Sequence, residues 1–279
     1  MVAQTKLGTF LSSWPTRLAL LMIVIVIVMA VFAPWLATHD PRFLDPAVRL
    51  RGPSAAHWLG TDSYGRDLYS RIIFGSRVSL LVGSGVLAIA IVFGVLFGAL
   101  AGYFRSLDSL IMRIMDGVMA IPAILLAIAM VSVSGSSLST VIVAIAIPEI
   151  PRVTRLVRGI LLSVRGEPYV EAAVTLGTSP AAILVRHMLP NTVAPLIVQG
   201  TYIFAAAVLI EAILSFLGAG IPPEVPSWGN IIADGRTYFQ LLPGLVLYPG
   251  IVLSLTILTI NMVGDTARDA LDPKLAGRA

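Results

Sequence analysis

Uncharged stretches long enough to cross a hydrocarbon core recur along this chain, separated by segments that hold most of its charges. Residues 18–37 form the first, 20 positions without a charge, and about 20 helical residues rising ~1.5 Å each span a ~30 Å core. Lys6 and Arg17 precede it, as in a secretory signal, but signal cores run only about 7–15 residues. The run therefore reads as a retained span. Uncharged runs follow at 78–102 and at 117–133, the latter containing Pro122. A fourth begins near Leu138 and meets Pro148, Glu149 and Pro151. The fifth, 192–217, encloses Glu211, and the sixth, 241–264, is uncharged. Proline inside such helices is tolerated where neighbours satisfy the freed carbonyl.

Six spans predict an all-α polytopic membrane protein with both termini on one side. If that side is the cytoplasm, it holds Lys6, Arg17, Arg105, Arg113, Arg152, Arg155, Arg158, Arg165, Arg186, Arg268, Lys274 and Arg278. The other side keeps Arg42, Arg49, Arg51, Arg66, Arg71, Arg77 and Arg236. The excess of basic residues favours cytoplasmic termini. The expected order is a cytoplasmic segment 1–17, a first helix 18–37, an outer loop 38–77, a core 78–264 containing an inner loop 165–190, and a cytoplasmic tail 265–279.

Composition agrees: 57% of the 279 residues are hydrophobic and 12% charged, against about 25% charged in soluble domains. The net charge of +4 is spread between apolar segments, which marks membrane flanks and not a nucleic-acid surface. With no cysteine, disulfides and thiolate metal sites are excluded. Gly94, Gly98 and Gly102 leave one face of the second span bare, open to close approach by another helix.

The chemistry that is missing narrows the function. The two lysines follow Thr5 and Pro273, so neither completes a phosphate-binding P-loop. His39, His57 and His187 have no partner at metal-ligand spacing, and neither HExxH nor GxSxG occurs. No catalytic residue and no metal site is expected.

Residues 167–190 carry the strongest local signal. Pro168 suits a first helical turn, and Tyr169, Ala172, Ala173 and Leu176 form one apolar stripe. Gly177 falls at a left-handed C-cap. Ser179 and Pro180 open a second helix that Pro190 should stop. The reading is two short helices joined by a glycine turn, either an interfacial connector or a docking element.

Glu171-Ala172-Ala173, Gly177 and His187-Met188-Leu189-Pro190 resemble the EAA loop of binding-protein-dependent ABC importers. Gly60-Thr-Asp-Ser-Tyr-Gly-Arg-Asp67, Gly75-Ser-Arg-Val-Ser79, Met112-Arg-Ile-Met-Asp-Gly117, Glu211-Ala-Ile-Leu-Ser-Phe-Leu-Gly218, Pro226-Ser-Trp-Gly-Asn230 and Asn261-Met-Val-Gly-Asp265 narrow the likeness. They resemble the C-type permease of the dipeptide, oligopeptide and nickel branch, in order over residues 55–275; Ile150 departs from it, standing where the family often has an aromatic. The resemblance implies a type I importer permease fold, a bacterial inner-membrane location, and coupling of Glu171, Ala172, Ala173, Gly177, His187, Leu189 and Pro190 to a cytoplasmic ATPase. It also implies a paralogous permease, two ATPase subunits that bind ATP and Mg, an extracytoplasmic substrate-binding protein and surrounding lipid as partners.

The remaining polar positions have competing readings. Glu211 is a structural hydrogen-bonding group near the outer helix end or a proton relay, the latter making the chain a proton-coupled secondary transporter. Asp62, Arg66, Asp67, Arg71 and Arg77 suggest an outer ion-pair cap or a receptor surface. Trp228, after Pro222, Pro223 and Pro226, suggests an interfacial anchor or a gate. His187 reads as a packing residue.

Overall fold

The computed structural model describes residues 14–271. The expected cytoplasmic positions Lys6, Lys274 and Arg278 lie outside the described residues. Among the described residues the regular elements are all helices, and the strand pairing is one isolated bridge, Thr61 to Asp67. Helix α1 (Trp14–Val31) ends at Phe32, and a short α2 (Ala33–Leu36) follows. Residues 37–67 then lead to α3 (Leu68–Tyr103), which begins well before the uncharged run at 78 because Asp67 accepts from the Ser70 amide and caps it.

The expected third span is not one helix. Helices α4 (Arg105–Met119) and α5 (Ala123–Ser134) meet at an angle of 84°. Pro122, at the break, lacks an amide hydrogen and pushes Ile121 out of helical geometry. Helix α4 also carries charges on one face, with Asp108 and Asp116 paired to Arg158 and Arg155.

Helix α6 (Leu138–Val164), capped by Ser137, continues unbroken past Pro148 and Pro151. It is held along α3, where Gly94, Gly98 and Gly102 face Val153, Val157 and Leu161. A Cβ on Gly98 would stand 2.7 Å from Val157 Cβ and 2.8 Å from the Thr154 carbonyl oxygen. The bare glycine face thus brings two backbones together, and the buried valines and Leu161 belong to the main apolar core.

After α7 (Pro168–Thr175) and a single turn α8 (Pro180–Ala182), Pro190 does not stop the chain. A π turn (Ile183–Met188) and a 3-10 turn (Leu189–Thr192) carry the helical path into α9 (Val193–Phe216). Shifting the bonding pattern around Pro190 lets the path absorb its missing donor. A short α10 (Trp228–Gly235) precedes α11 (Gly244–Leu271), which continues past Gly264 into the expected tail. Helix α9 packs on α3 and α11, while α1 lies against α11 and α3.

Among the described residues, four helical runs are long and apolar enough to cross a membrane: Trp14–Val31, Leu68–Tyr103, Pro180–Phe216 and Gly244–Ala270. The bent α4–α5 pair makes a fifth. Reaching six requires α6 as well, which from its middle onward carries Glu149, Arg152, Arg155 and Arg158.

Candidate functional site

Helix α9 has 24 residues, about 36 Å at ~1.5 Å per residue, so the features at its two ends lie on opposite ends of the bundle. At its entry stands the 168–192 loop. Pro168 occupies the first turn of α7, where a missing amide hydrogen costs nothing. Gly177 closes the helix at φ +74°. The Thr178 amide donates to the Ala173 carbonyl at 3.1 Å and the Gly177 amide to the Val174 carbonyl at 3.0 Å, the paired bonds of a Schellman turn.

The stripe expected along α7 is present, but most of it does not face the bundle. Val170 and Ala173 are buried in the main core with Ile183 and Met188. Tyr169 and Leu176 are 45% and 84% exposed, and Val174 and Val185 are exposed as well. Glu171 and Ala172 lie on the same exposed surface. Several large apolar side chains on a short loop, with one carboxylate among them, form a patch that water does not favour. Asn191 holds the loop together: its amide nitrogen donates to Tyr169 Oη at 3.2 Å, the His187 carbonyl at 2.8 Å and the Met188 carbonyl at 3.1 Å. His187 and Leu189 are half-buried and Pro190 is exposed.

At the far end, Glu211 is fully buried. Its Oε1 accepts from Ser215 Oγ and Ser227 Oγ, both at 2.8 Å. Ser227 also caps α10 by accepting from the Asn230 amide at 3.1 Å. Asn230 Nδ2 reaches the carbonyls of Ile221, Pro222 and Val225 at 3.1, 3.0 and 3.0 Å, clamping the proline-rich loop. Trp228 is not an interfacial anchor: it is fully buried, with Nε1 donating to the Ile72 carbonyl at 3.1 Å.

Of the expected cap, the ion pairs form with altered membership. Asp62 joins Arg66 at 2.6 Å and Arg71, and Asp234 joins Arg66 at 2.8 Å and Arg71 at 3.1 Å. Arg77 is exposed and lies outside this cluster, and Asp67 instead faces His57. Sequence reasoning missed Asp234, whose partners Arg66 and Arg71 lie far away in sequence, and the double role of Ser227. The Pro226–Asn230 motif was the available signal for Ser227 and Asn230. Glu149, treated as a boundary residue, is buried and bonded to Arg152 at 2.9 and 3.1 Å.

Residues 90–277 match the model of the binding-protein-dependent transport system inner membrane component, and residues 9–53 that of the N-terminal TM domain of oligopeptide transport permease C. The chain is 49% identical to a "probable peptide ABC transporter permease protein" of Sinorhizobium fredii, covering 88% of this chain and 84% of that one. It is 45% identical to a dipeptide transport system permease protein of Alkalihalophilus pseudofirmus, covering 93% and 86%. A glutathione transport system permease protein of Escherichia coli is 42% identical, covering 93% and 86%. In fold it is similar to a chain of the inward-facing MetNI methionine ABC transporter, with TM-score 0.61 at 21% identity over 74% of this chain and 98% of that chain. The protein is a multi-pass membrane subunit that works with ATPase and substrate-binding partners, and ATP is used by those ATPase subunits. The chain belongs to the family of binding-protein-dependent transport system inner membrane components, the permease subunits of ABC importers.

Proposed function

We propose that this chain forms one half of a membrane passage for peptides, paired with a paralogous permease and driven by two ATPase subunits. The exposed patch of Tyr169, Ala172, Val174 and Leu176 around Glu171 carries the reading. A preformed, capped turn presenting apolar side chains and one carboxylate suits insertion into a groove on a partner. In this reading the 168–192 loop is cytoplasmic and the cluster of Asp62, Arg66, Arg71 and Asp234 is extracytoplasmic, with both termini in the cytoplasm. The peptide cargo is supported by the names of the relatives.

Glu211 then acts as a structural pin. It joins the end of α9 to the cap of α10, and its hydrogen-bonding neighbours are two serines, not a chain of ionisable groups of the kind that relays protons. The test is reconstitution of the complete importer in vesicles with its binding protein. Di- and tripeptides are expected to stimulate ATP hydrolysis and to accumulate inside, with glutathione as the competing cargo. Accumulation by this chain without ATPase subunits, driven by a proton gradient, would overturn the assignment.

A further inference from the structure

The outer segment brings together two histidines that the sequence leaves 18 positions apart, His39 and His57, with the carboxylate that caps α3. His57 Nδ1 lies 2.9 Å from Asp67 Oδ1, and His39 Nδ1 lies 3.9 Å from the same oxygen. The two imidazole centroids are 4.7 Å apart. One candidate ligand atom from each of the three residues falls within 4.8 Å of the others. Two ligands held ~2.1 Å from a tetrahedral ion stand about 3.4 Å apart, a value between the two measured N···O separations. Each N···O separation is about half an ångström from that value, and the third ligand-atom pair lies within 4.8 Å.

The carboxylate is already oriented for this. Asp67 Oδ2 is engaged by the Ser70 amide at 2.8 Å and by Thr38 Oγ1 at 3.4 Å, which leaves Oδ1 to the imidazoles. Thr38 Oγ1 also lies 3.0 Å from His39 Nδ1 and 3.3 Å from Ser70 Oγ. Supporting partners of this type fix the direction of ligating groups. Asp67 is buried, the His57 side chain is 15% exposed and that of His39 is 39% exposed. An ion held here would have protein on one side and water on the other. Arg42 and Arg77 line the same cavity as His39, and Asp40 offsets part of their charge. A simple His57–Asp67 hydrogen bond needs no second imidazole beside it.

We propose that His39, His57 and Asp67 form a Zn2+-class divalent cation site with a fourth position open to water. Two imidazoles and one carboxylate are a zinc donor set, and imidazole selects this group of metals over Mg2+ or Ca2+. The ion ties the segment after α2 to the start of α3. The proposal is independent of the peptide reading.

The test uses the full chain, purified with a histidine-free tag, stripped with EDTA and titrated with Zn2+ by calorimetry. Co2+ serves as a spectroscopic probe of tetrahedral coordination. One ion per chain is expected, with an upward shift in melting temperature. His39→Ala and His57→Ala should each weaken binding at least about tenfold and abolish that shift, while His187→Ala, at the other end of the bundle, should leave both intact. Melting without metal shows whether each variant folds, and the partly exposed His39 gives the variant least prone to misfold. Absence of saturable one-to-one binding overturns the proposal, as does binding that survives either substitution.

Discussion

Substituting Gly177 separates backbone conformation from side-chain bulk in the 168–192 loop, the loop proposed above to dock on the ATPase. A Cβ built on Gly177 meets nothing within 4 Å, yet the residue sits at φ +74°. Any penalty within this chain is therefore conformational. The left-handed region costs an L-residue about 1–2 kcal/mol, with Asn tolerated best and β-branched Val worst. Two backbone hydrogen bonds close the turn, each worth about 0.5–1.5 kcal/mol net, so the strain is comparable to what holds the turn together. Because ~1–2 kcal/mol changes a population about 5–30-fold, Gly177→Ala should lower receptor-stimulated ATP hydrolysis about fivefold and Gly177→Val more. Gly177→Asn should stay close to the parent. The assay is hydrolysis by the reconstituted complex with and without binding protein, alongside melting of the membrane subunits, which should not change. Normal stimulation in Gly177→Val refutes the reasoning. Equal loss in Asn and Val also does, because bulk against the ATPase would then be the cause.

Four further outcomes follow from the same geometry. Gly98→Ala, whose new methyl would stand 2.8 Å from the Thr154 carbonyl oxygen, should destabilise by about 1–3 kcal/mol, read as a lower melting temperature; Gly117→Ala, which meets nothing within 4 Å, is the control. Glu211→Gln keeps an acceptor for Ser215 and Ser227 and should transport normally, whereas Glu211→Leu orphans both hydroxyls at about 1–3 kcal/mol; a folded but inactive Gln variant would restore a charge-carrying role. Asp234→Asn weakens the charge balance of Arg66 and buried Arg71 and should lower thermal stability by up to about 3–5 kcal/mol; an unchanged melting temperature would show that Asp62 suffices. In this cysteine-free chain, an impermeant maleimide should label exposed Tyr64→Cys from outside intact cells and exposed Leu176→Cys only after permeabilisation, and the reverse pattern would invert the topology.

What the sequence disclosed depended on how locally each constraint acts. Pro168, Gly177 and the fixed offset between them specify a short capped helix through their own backbone preferences, so the 168–177 turn was readable without its surroundings. The Gly94–Gly102 face was readable too, because a four-residue repeat of missing side chains has one helical meaning. Proline was not. Pro122 breaks the chain by 84°, while Pro148, Pro151 and Pro249 lie inside continuous helices and Pro190 inside a continuing helical path. The residue is the same each time, and the cost of a lost hydrogen bond is set against different surroundings. Helix α6 is clamped along α3, whereas charged α4 pairs with the arginines of α6 and parts company with apolar α5.

The polar cluster around α10 shows the limit most clearly. A fully buried carboxylate in an apolar helix requires donors, and Glu211 announced that need from its position alone. The donors, Ser215 and Ser227, are ordinary serines; one lies a single helical turn away, the other across a loop. Asp234 likewise gives no local sign that it completes a set with Asp62, Arg66 and Arg71. Polar residues in a largely apolar chain reveal that partners exist, but the pairing is a property of the fold. Here the pairings converge on α10, which receives Glu211 through Ser227, Ile72 through Trp228 and both buried arginines through Asp234. A rearrangement of the Glu211 end of α9 must therefore move α10 with it or break these contacts together. That makes α10, more than Glu211 itself, the element that ties this end of α9 to the start of α3.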